Sequence, residues 1–162
     1  MAFVLLSVGS NIDRESNIRS GIHALRMAFG ELKCSPVYES EAVGFDGANF
    51  LNLVVALNTA QSVAELSAGL REIENTHGRN RGEPKFSSRT LDIDILTYNK
   101  SVGVVDGVEL PRREILKNAF VLLPMADLVP DERHPQVKKT YAQLWREFGD
   151  ESQKLWEIPL SV

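Results

Sequence analysis

Residues Arg89-Thr90-Leu91-Asp92-Ile93-Asp94-Ile95-Leu96 alternate in character with a period of two, which makes them a β-strand with two unlike faces. Leu91, Ile93 and Ile95 point one way and demand cover. Thr90, Asp92 and Asp94 point the other way, with the two carboxylates about 7 Å apart along the backbone, so that face cannot close onto an apolar core. Two anions this close repel. The acidic face is therefore either a solvated surface or a place where a cation sits. A divalent ion suits it, because carboxylate oxygens at this spacing can reach one metal or bridge a pair.

The stretch just before it, Gly78-Arg79-Asn80-Arg81-Gly82-Glu83-Pro84-Lys85-Phe86-Ser87-Ser88-Arg89, holds two glycines, one proline and four cations, and can continue neither a helix nor a strand. Such a loop is either a solvated basic segment pairing with nearby acids or a binding loop. Beside a carboxylate pair, guanidinium groups suit a polyphosphate, whose oxygens a metal can bridge while arginine forks neutralise the rest.

The remaining periodicities set the order of elements. Ala2 to Val8 reads as a buried strand ended by the turn residues Gly9-Ser10-Asn11, with Asn11 either shaping that turn or lining a cleft. Ile18, Ile22, Leu25 and Phe29 form one helical stripe, Asp13 and Glu15 suit its first turn, and Gly30 suits its cap. Glu31 to Val43, interrupted by Pro36, reads as an extended edge segment running into a loop. Phe50 to Leu57 alternates, with Leu51, Leu53, Val55 and Leu57 on one face and Phe50 and Asn52 on the other. Ser62-Val63-Ala64-Glu65 is a capping box, opening a helix with the stripe Val63, Leu66, Leu70 and Ile73 that ends at Gly78. Glu74 ends that helix either as a salt-bridge partner of the basic loop or as a ligand contact.

The order βαββαβ implies an α+β, ferredoxin-like sandwich: an antiparallel sheet with two helices on one face. Phe50 and Asn52 then share the face of Asp92 and Asp94. Beyond Tyr98, short β pieces span Val102 to Leu110, and Pro111 to Lys117 reads as a short helix. Ala119 to Leu123 reads as a buried turn stopped by Pro124. Thr140 caps a last helix with Tyr141, Leu144, Trp145 and Phe148, which makes a C-terminal helical extension. The tail after Gly149 carries no assignable pattern.

A length of 162 residues suits one domain, 1–162. The formal net charge of −4 disfavours nucleic acid and anionic membrane as partners. The single cysteine, Cys34, excludes an internal disulfide, and His23, His77 and His134 lack zinc-ligand spacing. No run approaches membrane-span length and no basic leader precedes the first strand, so a cytoplasmic protein is expected. No Walker-type phosphate loop occurs.

Gly9-Ser10-Asn11, Tyr38-Glu39-Ser40, Phe50-Leu51-Asn52, Glu74 with Gly78-Arg79-Asn80-Arg81, and Arg89-Thr90-Leu91-Asp92-Ile93-Asp94 together resemble the 6-hydroxymethyl-7,8-dihydropterin pyrophosphokinase family of folate synthesis. The resemblance covers nearly the whole chain and is weakest after Asp131. It implies a monomeric enzyme that moves the diphosphate of ATP to the hydroxymethyl group of the pterin and releases AMP, with two Mg²⁺ ions. By the same resemblance, Asp92 and Asp94 hold the metals, and Arg79 and Arg89 engage the phosphates. Phe50 and Phe120 sandwich the pterin, Asn52 reads its edge, and Ser40 and Val43 are neighbouring pterin contacts. Arg71, Glu74, Arg81, Phe86, Ile95, Arg112 and Arg113 fall on the ATP side.

The chain also departs from the family pattern. Lys85-Phe86-Ser87-Ser88 stands where Arg-Trp-Gly-Pro is usual, Arg112 where a histidine is common, and Asn118 where an arginine is common. Those departures keep a second reading open, a pterin- or nucleotide-binding paralogue with little transfer activity. A ferredoxin-like nucleic-acid binder is disfavoured by the acidic face.

Overall fold

The computed structural model describes residues 1–42, 47–78 and 90–162. In chain order the elements are β1 (Ala2–Ser10), α1 (Arg14–Phe29), β2 (Lys33–Cys34), β3 (Val37–Ser40), β4 (Phe50–Thr59), α2 (Val63–Thr76) and β5 (Asp92–Tyr98). A hairpin of β6 (Gly103–Val105) and β7 (Val108–Leu110) follows, then α3 (Glu114–Lys117), α4 (Ala119–Leu128), α5 (Tyr141–Glu147) and β8 (Leu155–Ile158). The main sheet runs β5-β1-β4-β3-β8 with every pairing antiparallel, and β2 also pairs with β4. This is the ferredoxin-like order expected from the alternating periodicities. β1 is central and β5 is an edge.

Both long helices form where their stripes and caps predict. Gly30, at φ 82, ends α1 and donates its N–H to the Arg26 carbonyl. The Ser62–Glu65 capping box opens α2 with reciprocal bonds of 3.1 and 3.0 Å, worth about 1 kcal/mol. Their apolar stripes meet Val4, Leu6 and Val8 of β1, Leu51, Leu53, Val55 and Leu57 of β4, and Ile93 and Ile95 of β5 in one buried cluster. Burying each such side chain stabilises the fold by roughly 1.5–3 kcal/mol.

The opposite sheet face is divided. Leu5, Val54, Ala56 and Leu96 pack under Ile115 of α3, Val121, Leu122 and Met125 of α4, and Tyr141 of α5, so a third layer covers that half. A β-bulge helps: the register passes from Leu6↔Ile95 to Leu5↔Thr97, leaving Leu96 as the extra residue. Tyr98 consequently packs on the helix side.

Three sequence expectations are corrected. The segment before the first loop is two short strands, because Pro36 has no N–H to donate and the ladder breaks there. Ser35 fills the gap, with its N–H bonded to the Val54 carbonyl and its hydroxyl accepting from Val54 N–H, both at 2.9 Å. Pro124 does not stop a turn; it lies inside α4, buried, where apolar packing all round outweighs one missing backbone bond. The tail is not patternless, since Leu155 to Ile158 adds an edge strand to β3. Beyond it, Arg19 and Arg26 of α1 donate to the carbonyls of Ser161 and Val162. Among the described residues no helix is long and apolar enough to cross a membrane.

Candidate active site

Register alone brings the expected residues together. Asp92 lies opposite Gly9, Gly9 opposite Asn52 and Asn52 opposite Tyr38, so these residues form one row across four strands on one face. The neighbouring rows hold Asp94 beside Ser7, and Phe50 beside Ser40 beside Leu155. Gly9 is required where it stands: a Cβ there would lie 2.5 Å from Asn52 Oδ1. The Asn52 carboxamide therefore lies over the one residue that separates it from Asp92. Asn52 is buried, and among the described residues the buried Ser40 hydroxyl has no partner. A buried polar group of that kind is costly unless a ligand meets it.

Of the two carboxylates, Asp94 is held above its ordinary range. Burial, then repulsion from Asp92, pushes Asp94 up to about 7, while Arg112 opposes the rise. Arg112 reaches Asp94 at 3.7 Å and Glu114 at 3.3 Å, and its backbone N–H is fixed to the Leu96 carbonyl at 3.0 Å. The Asp92 and Asp94 oxygens are hard donors of the kind that a divalent cation takes. Among the described residues no set of three His, Cys, Asp or Glu forms a complete metal site.

Glu74 has a task that the sequence did not reveal. It is buried, and its Oε2 accepts from Ile93 N–H at 2.8 Å, covering an amide on the open edge of β5 between the two aspartates. Asn11, left open between turn and cleft, donates to the Ala48 carbonyl at 3.0 Å. Arg14 joins it, bonded to the Asn49 carbonyl and to Glu39, which also accepts from the Asn49 carboxamide. Together these bonds pin the approach to Phe50. Tyr38 donates its hydroxyl to Asp127 of α4, tying the third layer to the sheet.

Phe120 stands half-buried in the first turn of α4, at the margin of the covered half. Arg71 is on the exposed side of α2, and Arg113 is exposed and paired with Glu109 at 2.7 Å. Ile95 does not share the acidic face; its side chain is in the helix-side core, so any nucleotide contact from it is limited to its backbone. Val43, Arg79, Arg81, Phe86 and Arg89 lie outside the described residues. Pattern reading missed the roles of Gly9 and Glu74. The signal for Gly9 was its position opposite both Asp92 and Asn52, legible only once the register is known.

The sheet order defines a ferredoxin-like α+β protein, with Asp92 and Asp94 on the sheet face away from the two long helices. The family model described as 7,8-dihydro-6-hydroxymethylpterin-pyrophosphokinase (HPPK) matches residues 5–130, and the chain belongs to that family. It is 35% identical over 127 residues to the 2-amino-4-hydroxy-6-hydroxymethyldihydropteridine pyrophosphokinase of Bacillus subtilis, covering 76% of this chain and 75% of that one. Its identity to the Aquifex aeolicus protein of the same name is 36% over 141 residues, covering 86% and 88%. The wild-type HPPK-DHPS of Plasmodium falciparum with SDX-DHP superposes with a TM-score of 0.71 at 14% identity. That match covers 91% of this chain but 44% of the other, and it bears on the fold alone.

Proposed function

We propose that this chain transfers the β,γ-diphosphate of ATP to the hydroxymethyl group of 6-hydroxymethyl-7,8-dihydropterin in folate synthesis. A bond forms between the hydroxymethyl oxygen and the β-phosphorus, the bond from that phosphorus to the α-side bridging oxygen breaks, and AMP leaves. The hydroxyl proton passes to solvent. The observation that carries this reading is the row Asp92–Gly9–Asn52, with Asp94 in the next row, which sets a carboxylate pair and a carboxamide on one sheet face.

Asn52 and Ser40 offer in-plane hydrogen bonds to a flat, polar-edged heterocycle, and Phe50 and Phe120 offer its stacking faces. Asp92 and Asp94 would hold two Mg²⁺ ions, which when bound neutralise the triphosphate and polarise it toward attack. Arg112 stands beside Asp94, able to exchange its carboxylate for phosphate oxygens. Arg71 and Arg113 add cations on the nucleotide side, Arg79 and Arg89 would engage the phosphates, and Arg81 and Phe86 would contact the nucleotide. Glu74 holds β5 so that both carboxylates face the substrate. Orientation and charge would supply the rate enhancement. We take the active form to be a cytoplasmic monomer of one domain, 1–162.

The Arg112–Asp94 contact favours one rival reading, a pterin- or nucleotide-binding paralogue in which that arginine replaces the metal. Incubating the protein with ATP, MgCl₂ and the dihydropterin separates the two. AMP and pterin diphosphate in equal amounts are expected, and binding of both ligands without AMP would leave the paralogue.

A further inference from the structure

The first turn of α4 has no cap of its own, because Asn118 at the N-cap position makes no side-chain capping bond. The cap comes from elsewhere in the chain. Ala119 N–H donates to Oε1 of Gln153 at 2.8 Å, and Nε2 of Gln153 donates to the Lys117 carbonyl at 2.7 Å. One carboxamide thus grips both sides of Asn118. The second Nε2 hydrogen goes to Asp150 Oδ2 at 2.8 Å, so acceptor and both donors are used. Asp150 is oriented in turn, since its Oδ1 accepts the Ser152 N–H at 3.1 Å and the Ser152 hydroxyl. Two residues beyond Gln153 the chain enters β8, where Leu155 pairs with Ser40 and Ser40 with Phe50.

Residues 150–158 therefore bond to Ser40 through the strand ladder and, through Gln153, to the residues on either side of Asn118, next to Phe120 in the chain. We infer that Gln153 is a positioning residue, which sets where Phe120 stands relative to Phe50 and so tunes affinity for the heterocycle without touching it. This rests on the proposed placing of the pterin between those two rings. The physical reason is local. An N-terminal helix amide has no partner within its own helix, so removing its only acceptor frees the turn to fray, and Phe120 is the next residue.

The test is Gln153→Ala, read three ways. Exchange of the Ala119 amide should quicken about tenfold, reporting the lost cap. Dihydropterin affinity, followed by pterin fluorescence with and without a non-hydrolysable ATP analogue, should fall about fivefold to tenfold, the worth of one cap. Affinity for the ATP analogue should stay within about twofold, because the change is confined to the Phe120 wall. Gln153→Glu keeps an acceptor but sets a carboxylate oxygen against the Lys117 carbonyl and the Asp150 carboxylate, so it should lose amide protection and pterin affinity as Gln153→Ala does. Lys154→Ala, in the same segment but exposed, serves as the unaffected control. Faster amide exchange with unchanged pterin affinity would overturn the inference, as would equal losses for both ligands accompanied by a lower melting temperature. If the parent binds pterin yet releases no AMP, the transfer reading fails while this comparison still decides the role of Gln153; a parent that binds no dihydropterin removes both.

Discussion

The second sheet face carries two regions built from the same three strands, and they have opposite fates. Toward one end, Leu5 of β1, Val54 and Ala56 of β4 and Leu96 of β5 are sealed beneath α4 and α5. Toward the other, Gly9, Asn52, Asp92 and Asp94 occupy equivalent outward positions, where burial and repulsion from Asp92 raise the Asp94 carboxyl. Backbone geometry is continuous between them. What differs is only whether each outward residue can be satisfied by hydrocarbon, and the third layer ends where it cannot. A single sheet thus carries a sealed core and an acidic face within a few residues.

Exchanging the character of one region at a time should separate the two cleanly. The largest effect is expected at the acidic end, where Asp92→Ala or Asp94→Ala should lower kcat by at least about 10²-fold through lost transition-state electrostatics. The melting temperature should not fall, because neither side chain packs in a core. Near-full Mg²⁺-dependent turnover in either variant would show that the pair is not the metal site. In the covered half, Leu96→Ala should do the converse, costing about 2–5 kcal/mol of stability by urea titration. Its KM values should stay close to those of the parent at a temperature where it is folded. A Leu96→Ala protein that loses activity without losing stability would mean that the regions are not separable.

The smallest effect concerns pH. Asp94 titrates in the folded protein at about 7, above its ordinary 3.8, so folding favours its protonated form. That contribution is fully present below the ordinary value and is lost as pH rises through the folded one. Without metal, the melting temperature should therefore decline between about pH 4 and pH 7. Asp94→Asn should flatten the decline, and a profile unchanged by that substitution would place its cause elsewhere.

The strands and helices around the first core were legible because Leu91, Ile93, Ile95 and the stripes of α1 and α2 obey single periods. The carboxylate pair was legible for the same reason. Three features were not. The bulge at Leu96 depends on what pairs across from it, the helix through Pro124 depends on burial that outweighs a local breaker, and β8 depends on an edge that β3 leaves open. Each is decided by a partner distant in sequence. The tasks of Gly9 and Glu74 belong with them, since Gly9 reads as a turn glycine and Glu74 as a helix-end acid until Asn52 and Ile93 are brought alongside.

Glu74 also bears on the stretch from 79 to 89. Its bond to Ile93 N–H joins the residues that flank this stretch, and His77 adds a second tie through Nε2 to the Ser20 hydroxyl of α1 at 2.8 Å. Both stems are thereby fixed by folding. The entropy of bringing two points of a chain together grows with the length between them, and here folding itself meets that cost for the residues on either side of the stretch.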